Sequence, residues 1–151
     1  MVKHYIIDGN NLIGKIASIW ILQQKDKQAA REQLTFIVDR FFNQTNLKVT
    51  LHFDGFKNDE INAHSLKIQY SGSRTADELI KKEIMNSKNS REICLVSSDI
   101  NLIDFARVCE CMVENSENFA AELSHKDVPD EEKKRTDEID NNEIKKLFGV
   151  G

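Results

Sequence analysis

ICLVSSD, residues 93–99, joins four consecutive apolar residues to a polar end. An uninterrupted apolar run of this length is typical of a strand buried on both faces, as in a parallel sheet covered by helices. The run stops at Ser97, and Asp99 stands at its end. An amphipathic helix follows over 102–108. The stretch therefore predicts one strand–helix unit of an α/β fold, with an acid between the strand and the helix.

The same order of elements continues on both sides of this unit. Residues 47–53 alternate apolar and polar side chains, which predicts a strand with one face inward. Residues 28–44 carry a helical apolar stripe. Further strands are predicted at 2–7, 66–70 and 112–113, and further helices at 16–22, from Thr75 onward and at 116–125. This alternation predicts a mainly parallel sheet with helices on both faces and a binding crevice at the carboxyl ends of the strands.

Length and composition limit the number of domains and the possible classes of function. The chain has 151 residues, and we expect one domain at 1–125 followed by a polar tail at 126–151 with a short docking helix near its end. The net charge of −4 argues against non-specific capture of nucleic acid as the main role. The longest apolar run has four residues, so we expect no membrane partner. No signal peptide is evident at residues 1–8, so the expected compartment is the cytoplasm.

The cysteines and histidines indicate neither zinc nor disulfides. Cys94, Cys109 and Cys111 are odd in number and lack the C-x-x-C spacing, and the four histidines are scattered. We expect reduced thiols that are mostly buried.

Four aspartates occupy equivalent points of successive units. Asp8, Asp54 and Asp99 each follow a predicted strand, and Asp77 stands at a predicted helix start. Carboxylates gathered at one edge persist as anions when a cation neutralises them, and Mg²⁺ and Mn²⁺ prefer oxygen ligands. Each acid also has a structural interpretation, as a turn residue or a helix cap. The pattern nevertheless predicts metal-assisted hydrolysis of a phosphodiester.

The motifs around these acids carry a family resemblance. The opening DGNNLI, residues 8–13, resembles that of the YacP-like NYN domains, which belong to the PIN-like metal-dependent nucleases. Residues 53–55 (FDG), 75–80 (TADELI) and 96–99 (VSSD) resemble three later motifs of that family, in the same order. The C-terminal Leu147 and Phe148 also fit its pattern.

The resemblance implies a PIN-like three-layer α/β/α sandwich and endoribonuclease activity with Mg²⁺ or Mn²⁺. It places metal-ligand and catalytic roles on Asp8, Asp77 and Asp99, and supporting catalytic roles on Asn11 and Asp54. Asn101 occupies a place where some relatives carry another acid, so the number of metal ions stays open.

The same resemblance makes RNA the expected partner and the ribosome a candidate platform. Arg74, on the flexible stretch before the Asp77 helix, is the first candidate for phosphate contact. Asn10 and Lys81 are further substrate-binding candidates, with a solvated helix face as the alternative for Lys81. Two other functions remain: a catalytically silent PIN-like module that binds RNA or the ribosome, and a receiver-like phosphotransfer protein. The second is disfavoured because the opening motif lacks a D-x-D pair and the later strands lack the terminal Thr and Lys of receivers.

Overall fold

A five-stranded parallel sheet forms the centre of the molecule. The structure, a computed structural model, describes residues 1–126. The strands are β1 His4–Asp8, β2 Lys48–Phe53, β3 Lys67–Tyr70, β4 Ile93–Val96 and β5 Met112–Glu114. Their spatial order is β3-β2-β1-β4-β5, and every neighbouring pair is parallel. The predicted parallel α/β sheet is therefore confirmed, and all five carboxyl ends lie along one edge.

Helices cover both faces of the sheet. They are α1 Gly9–Ile13, α2 Ala17–Lys25, α3 Lys27–Phe41, α4 Ala76–Met85, α5 Ile100–Val108 and α6 Ser116–Lys126. The first three and α6 enclose one core, which includes Leu34, Phe53 and Phe119. Helices α4 and α5 enclose the other, which includes Ile6 and Ile80. The three-layer sandwich is confirmed, and no helix within residues 1–126 is long and apolar enough to cross a bilayer.

The alternating strand at 48–53 departs from expectation, because its polar face is also covered. Thr50 and His52 are almost fully buried beneath α4. Glu83 of α4 accepts hydrogen bonds from the Thr50 hydroxyl at 2.7 Å and from His52 Nε2 at 2.7 Å. His4 Nε2 lies 3.2 Å from the same carboxylate. Although burial acts to raise it, these hydrogen bonds hold the pKa of Glu83 well below its usual range.

The predictions for helix α2, for the cysteines and for the C-terminal tail have different outcomes. The helix predicted at 16–22 is present as α2, and its apolar run is only partly enclosed: Ile19 is buried, whereas Trp20 and Ile21 are about half exposed. The thiols are free as predicted, and Cys94 and Cys111 are buried. The predicted tail and docking helix of 126–151 lie outside the described residues, apart from the end of α6.

Helix α1 was not predicted. It follows β1 without a loop, and Gly9 is its first residue. A Cβ at Gly9 would lie 2.5 Å from the His52 carbonyl oxygen and 2.9 Å from the Phe53 ring. Only glycine therefore lets the chain turn from β1 into α1 so close to β2.

Candidate active site

Asp8 is the most enclosed acid at the carboxyl edge. It ends β1 with 9% of its surface exposed. Its Oδ2 accepts a hydrogen bond from the Ser97 hydroxyl at 3.1 Å, and its Oδ1 accepts from the Asn11 backbone N–H at 3.5 Å. Burial raises the pKa of Asp8 to about 6, with smaller contributions from the charges of Asp54 and Asp77, and outweighs both hydrogen bonds. The site therefore disfavours this negative charge unless a cation compensates it.

Asp99 lies beside Asp8 because β4 pairs with β1. It caps α5, where its Oδ1 accepts from the backbone N–H groups of Asn101 at 2.9 Å and Leu102 at 3.2 Å. The Ser97 hydroxyl that donates to Asp8 also accepts from the Asp99 N–H at 3.1 Å. One serine thus links the two strand ends. The capping interpretation of Asp99 is confirmed, and only its Oδ1 makes the capping bonds.

Asp54 connects the end of β2 to the start of α4. Its Oδ1 accepts from the Ala76 N–H at 2.7 Å, which holds the helix N-terminus at the carboxyl edge. Asp77 in the next position has its pKa raised by burial first, then by the charges of Asp99 and Asp54. Lys81 opposes this shift, with its Nζ 3.7 Å from Asp77 Oδ2. The structure therefore brings the four aspartates to one edge, where the charges of Asp54 and Asp77 act on Asp8 and those of Asp99 and Asp54 act on Asp77.

Asn11 takes a position that supports this edge. Its Oδ1 accepts from the Ser98 N–H at 2.9 Å and from the Ser116 hydroxyl at 2.7 Å, so α1, β4 and α6 are fastened together. The Ser98 hydroxyl donates to Glu117 at 2.8 Å, and Lys15 pairs with Glu117 at the same distance. The sequence analysis did not identify a role for these serines or Glu117. The only signal was the polar run after β4 and at the start of α6.

The three substrate-binding candidates have different surroundings. Arg74 is exposed, and its guanidinium has no hydrogen-bond or ion-pair partner within residues 1–126. Asn10 accepts from the Asp54 N–H at 2.8 Å, which ties α1 to the β2 loop and gives its side chain a structural role. Lys81 is held between Asp77 and the ring of Phe105, 5.6 Å from the ring centroid. Arg74 is therefore the candidate whose charge remains unpaired.

Arg31 is a further residue that sequence analysis missed. It is 3% exposed, and it donates to the carbonyl oxygens of Asp54 at 2.6 Å and Phe56 at 2.9 Å. Its guanidinium also lies over the rings of Phe53 and Tyr70. The buried charge fixes the turn that presents Asp54. Arg31 lies in the middle of the helical pattern of α3, and this pattern does not indicate contacts with the turn after β2.

The donor set suits a hard divalent cation. The edge offers only carboxylate, amide and hydroxyl oxygens, which Mg²⁺ and Mn²⁺ favour. Within residues 1–126, no group of three or more His, Cys, Asp or Glu side chains is close enough to hold a metal ion directly. Mg²⁺ commonly keeps several waters and binds through one or two carboxylates, so the residues fit a hydrated ion.

Comparison with known proteins identifies the family and agrees with the fold. The family model of the YacP-like NYN domain matches residues 5–148. The crystal structure of Rae1 (YacP) from Bacillus subtilis superposes with a TM-score of 0.69 at 19% identity, over 97% of this chain and 86% of that one. Its W164L mutant gives a TM-score of 0.69 at 20% identity, over 82% of this chain and 76% of that one. No curated protein matches significantly. The chain belongs to the YacP-like NYN domain family, a family of PIN-like nucleases.

Proposed function

We propose that the chain is an endoribonuclease that depends on Mg²⁺ or Mn²⁺. The observation that supports it is the buried Asp8 carboxyl, whose pKa is raised to about 6 at an edge shared with Asp54, Asp77 and Asp99. The capping bonds of Asp54 and Asp99 explain those two acids, but not the burial of Asp8 or the raised pKa of Asp77, which a compensating cation would explain. RNA as substrate rests on the family to which the chain belongs.

The acids divide into two groups by the contacts that they already make. Asp8, Asp77 and Asp99 would hold a hydrated ion, in part through its water ligands, and Asp54 and Asn11 would keep the ends of α4 and α1 in place around it. When bound, a divalent cation polarises a phosphoryl oxygen and activates a water. Ser97 orients the Asp8 carboxylate through its hydrogen bond. Arg74 supplies positive charge for the phosphate of the incoming strand.

The test is cleavage of an end-labelled RNA with Mg²⁺ or Mn²⁺, with and without EDTA. We expect EDTA to abolish cleavage, and we expect Asp8→Asn and Asp99→Asn to lose on the order of 10²-fold or more, as when one electrostatic group leaves an active site. Asp104→Asn is the matched control, because it removes an exposed carboxylate from the same helix as Asp99. Cleavage that persists in EDTA, or an equal loss in the control, would contradict the proposal. Binding of RNA without cleavage in any metal would favour the silent module.

A further inference from the structure

A groove lies beside α4, on the face of the sheet that this helix covers. It has a cavity volume of about 320 Å³ and lies between α4 and the edge strand β3. It continues into a second hollow of about 380 Å³, since Lys48, Glu83 and Asn86 line both. Leu79 lies at the end of the groove nearest the carboxyl edge, two residues after Asp77. The groove therefore begins in the first turn of α4, the helix whose N-terminus carries Asp77, and runs toward the amino ends of the strands.

Four exposed lysines line this groove and its continuation. Lys48, Lys67 and Lys82 line the first hollow, and Lys88 lines the second. The side-chain ammonium group of none of them has an ion pair or a hydrogen bond within the described chain, 1–126. By contrast, Lys3, Lys15, Lys57 and Lys81 each lie against a carboxylate. The lysines of the groove are thus unneutralised in a protein of net charge −4.

The floor of the groove cancels only part of this positive charge. Glu83 is the one acid among its described lining residues, so four lysines face one carboxylate, whose oxygens accept hydrogen bonds from Thr50 and His52. These bonds also join α4 to β2, so the walls are set by the fold itself. The groove is a prepared surface with positive charge and few competing anions.

The distance between these lysines and the carboxyl edge favours an extended polyanion over a compact one. Lys48 and Lys67 begin β2 and β3, and Lys82 lies in the last turn of α4, so all three are at the end of the groove away from that edge. Helix α4 itself is about 15 Å long at 1.5 Å per residue, which exceeds the size of a single phosphate. Lysine binds phosphate as a flexible point charge, which suits a backbone that is contacted regardless of its bases.

We infer that this lysine groove binds the phosphodiester backbone of the RNA strand whose scissile bond lies at the carboxyl edge. The inference rests on the proposed endoribonuclease function for its substrate. It adds a second contact region, distinct from Arg74 and from the aspartates. It also accounts for how a chain with excess negative charge holds RNA beside an acidic site.

The test is the salt dependence of binding of fluorescent polyuridine RNA, in an Asp8→Asn background that prevents cleavage. The groove pair Lys67→Ala/Lys82→Ala is compared with Lys25→Ala/Arg107→Ala, which removes the same charge from exposed positions outside the groove. We expect the groove pair to make the slope of log affinity against log salt shallower by about 1.4, at about 0.7 per lost contact. The control pair should leave the slope unchanged. Equal slopes in the two pairs would overturn the inference.

A second measurement separates this inference from the proposed function. With Asp8 restored, cleavage of a dinucleotide, which is too short to fill the groove, should be the same in wild type and groove pair. Cleavage of the long RNA should show a raised KM in the groove pair alone. If wild type cleaves neither RNA, the proposed function fails while the binding slopes still decide the groove. If wild type and the groove pair cleave both RNAs equally well, the groove inference is contradicted while the proposed function stands.

Discussion

Asp8 is a carboxyl group that folding places where its charge is disfavoured. Its pKa rises from 3.8 to about 6 on folding, so the folded protein binds the proton more tightly than the unfolded chain. The contribution of Asp8 to the free energy of unfolding of the metal-free protein should therefore fall as the pH rises from about 4 to about 6, by up to ~3 kcal/mol. Asp8→Asn should remove this part of the pH dependence. Urea unfolding in EDTA across that range measures it.

The control for Asp8 is the addition of Mn²⁺ above the raised pKa. The ion should stabilise wild type and have a much smaller effect on Asp8→Asn, because a ligand that binds only the folded state stabilises it in proportion to its affinity. A wild-type protein whose stability is flat with pH and indifferent to Mn²⁺ would contradict the electrostatic account of this residue.

Asp99 combines a capping role with its place at the carboxyl edge, and two substitutions separate them. Asn keeps an oxygen acceptor for the Asn101 and Leu102 N–H groups, so Asp99→Asn should leave thermal stability close to wild type while activity is lost. Asp99→Ala should lose activity and also cost about 0.5–2 kcal/mol of stability. Thermal melts beside cleavage assays give both quantities. If Asn destabilises as much as Ala, the cap depends on charge rather than on an acceptor.

At the scale of elements, the start of α4 depends on a side chain from another strand. Asp54 accepts the Ala76 N–H, so Asp54→Ala should cost roughly 1 kcal/mol and should weaken Mn²⁺ binding by displacing Asp77. Asp54→Asn keeps the acceptor and should bind Mn²⁺ more tightly than the Ala variant. Calorimetric titration with Mn²⁺ compares the two. Equal affinities would show that Asp54 acts through its charge and not through the helix.

Strands and long helices follow from local periodicity, and the sequence therefore predicted them closely. Helix α1 did not emerge from it, because glycine and two asparagines are poor helix formers. Its turn is instead held by the Asp8 cap and by bonds from Asn10 and Asn11 to distant loops. The burial of Thr50 and His52 was missed for a similar reason. Their partner, Glu83, lies 33 and 31 residues further along the chain.

At the scale of the whole molecule, the position of the aspartates at the carboxyl edge could be predicted from the sequence. The residues that hold them in place could not. Parallel strands place their carboxyl ends on one edge whatever the details, so Asp8, Asp54 and Asp99 had to share it. Ser97 and Ser116 act through hydroxyl bonds whose partners are 89 and 105 residues away. No local pattern reports such contacts. The buried position of Arg31 could not be predicted either, because α3 carries other charged residues along its exposed face.

The overall charge predicts weak binding of free RNA. With Arg74 and a few lysines as the phosphate contacts, log affinity should fall against log salt with a slope of roughly −2 to −3. Arg74→Ala should make the slope shallower by about 0.7, whereas Lys25→Ala should not change it. The measurement is a salt titration in the Asp8→Asn background. Tight, steeply salt-dependent binding would contradict this expectation of weak binding.

The contact at Gly9 has an evolutionary consequence. An exposed helical glycine is ordinarily a place where alanine is gained easily, with a benefit of roughly 1 kcal/mol. Here even a methyl group would press on the His52 carbonyl and the Phe53 ring, and would push apart the two strands that carry Asp8 and Asp54. Evolutionary drift therefore cannot gain helix stability by replacing the glycine at this position. A library of random variants selected for cleavage should retain glycine at position 9 while neighbouring exposed positions diversify.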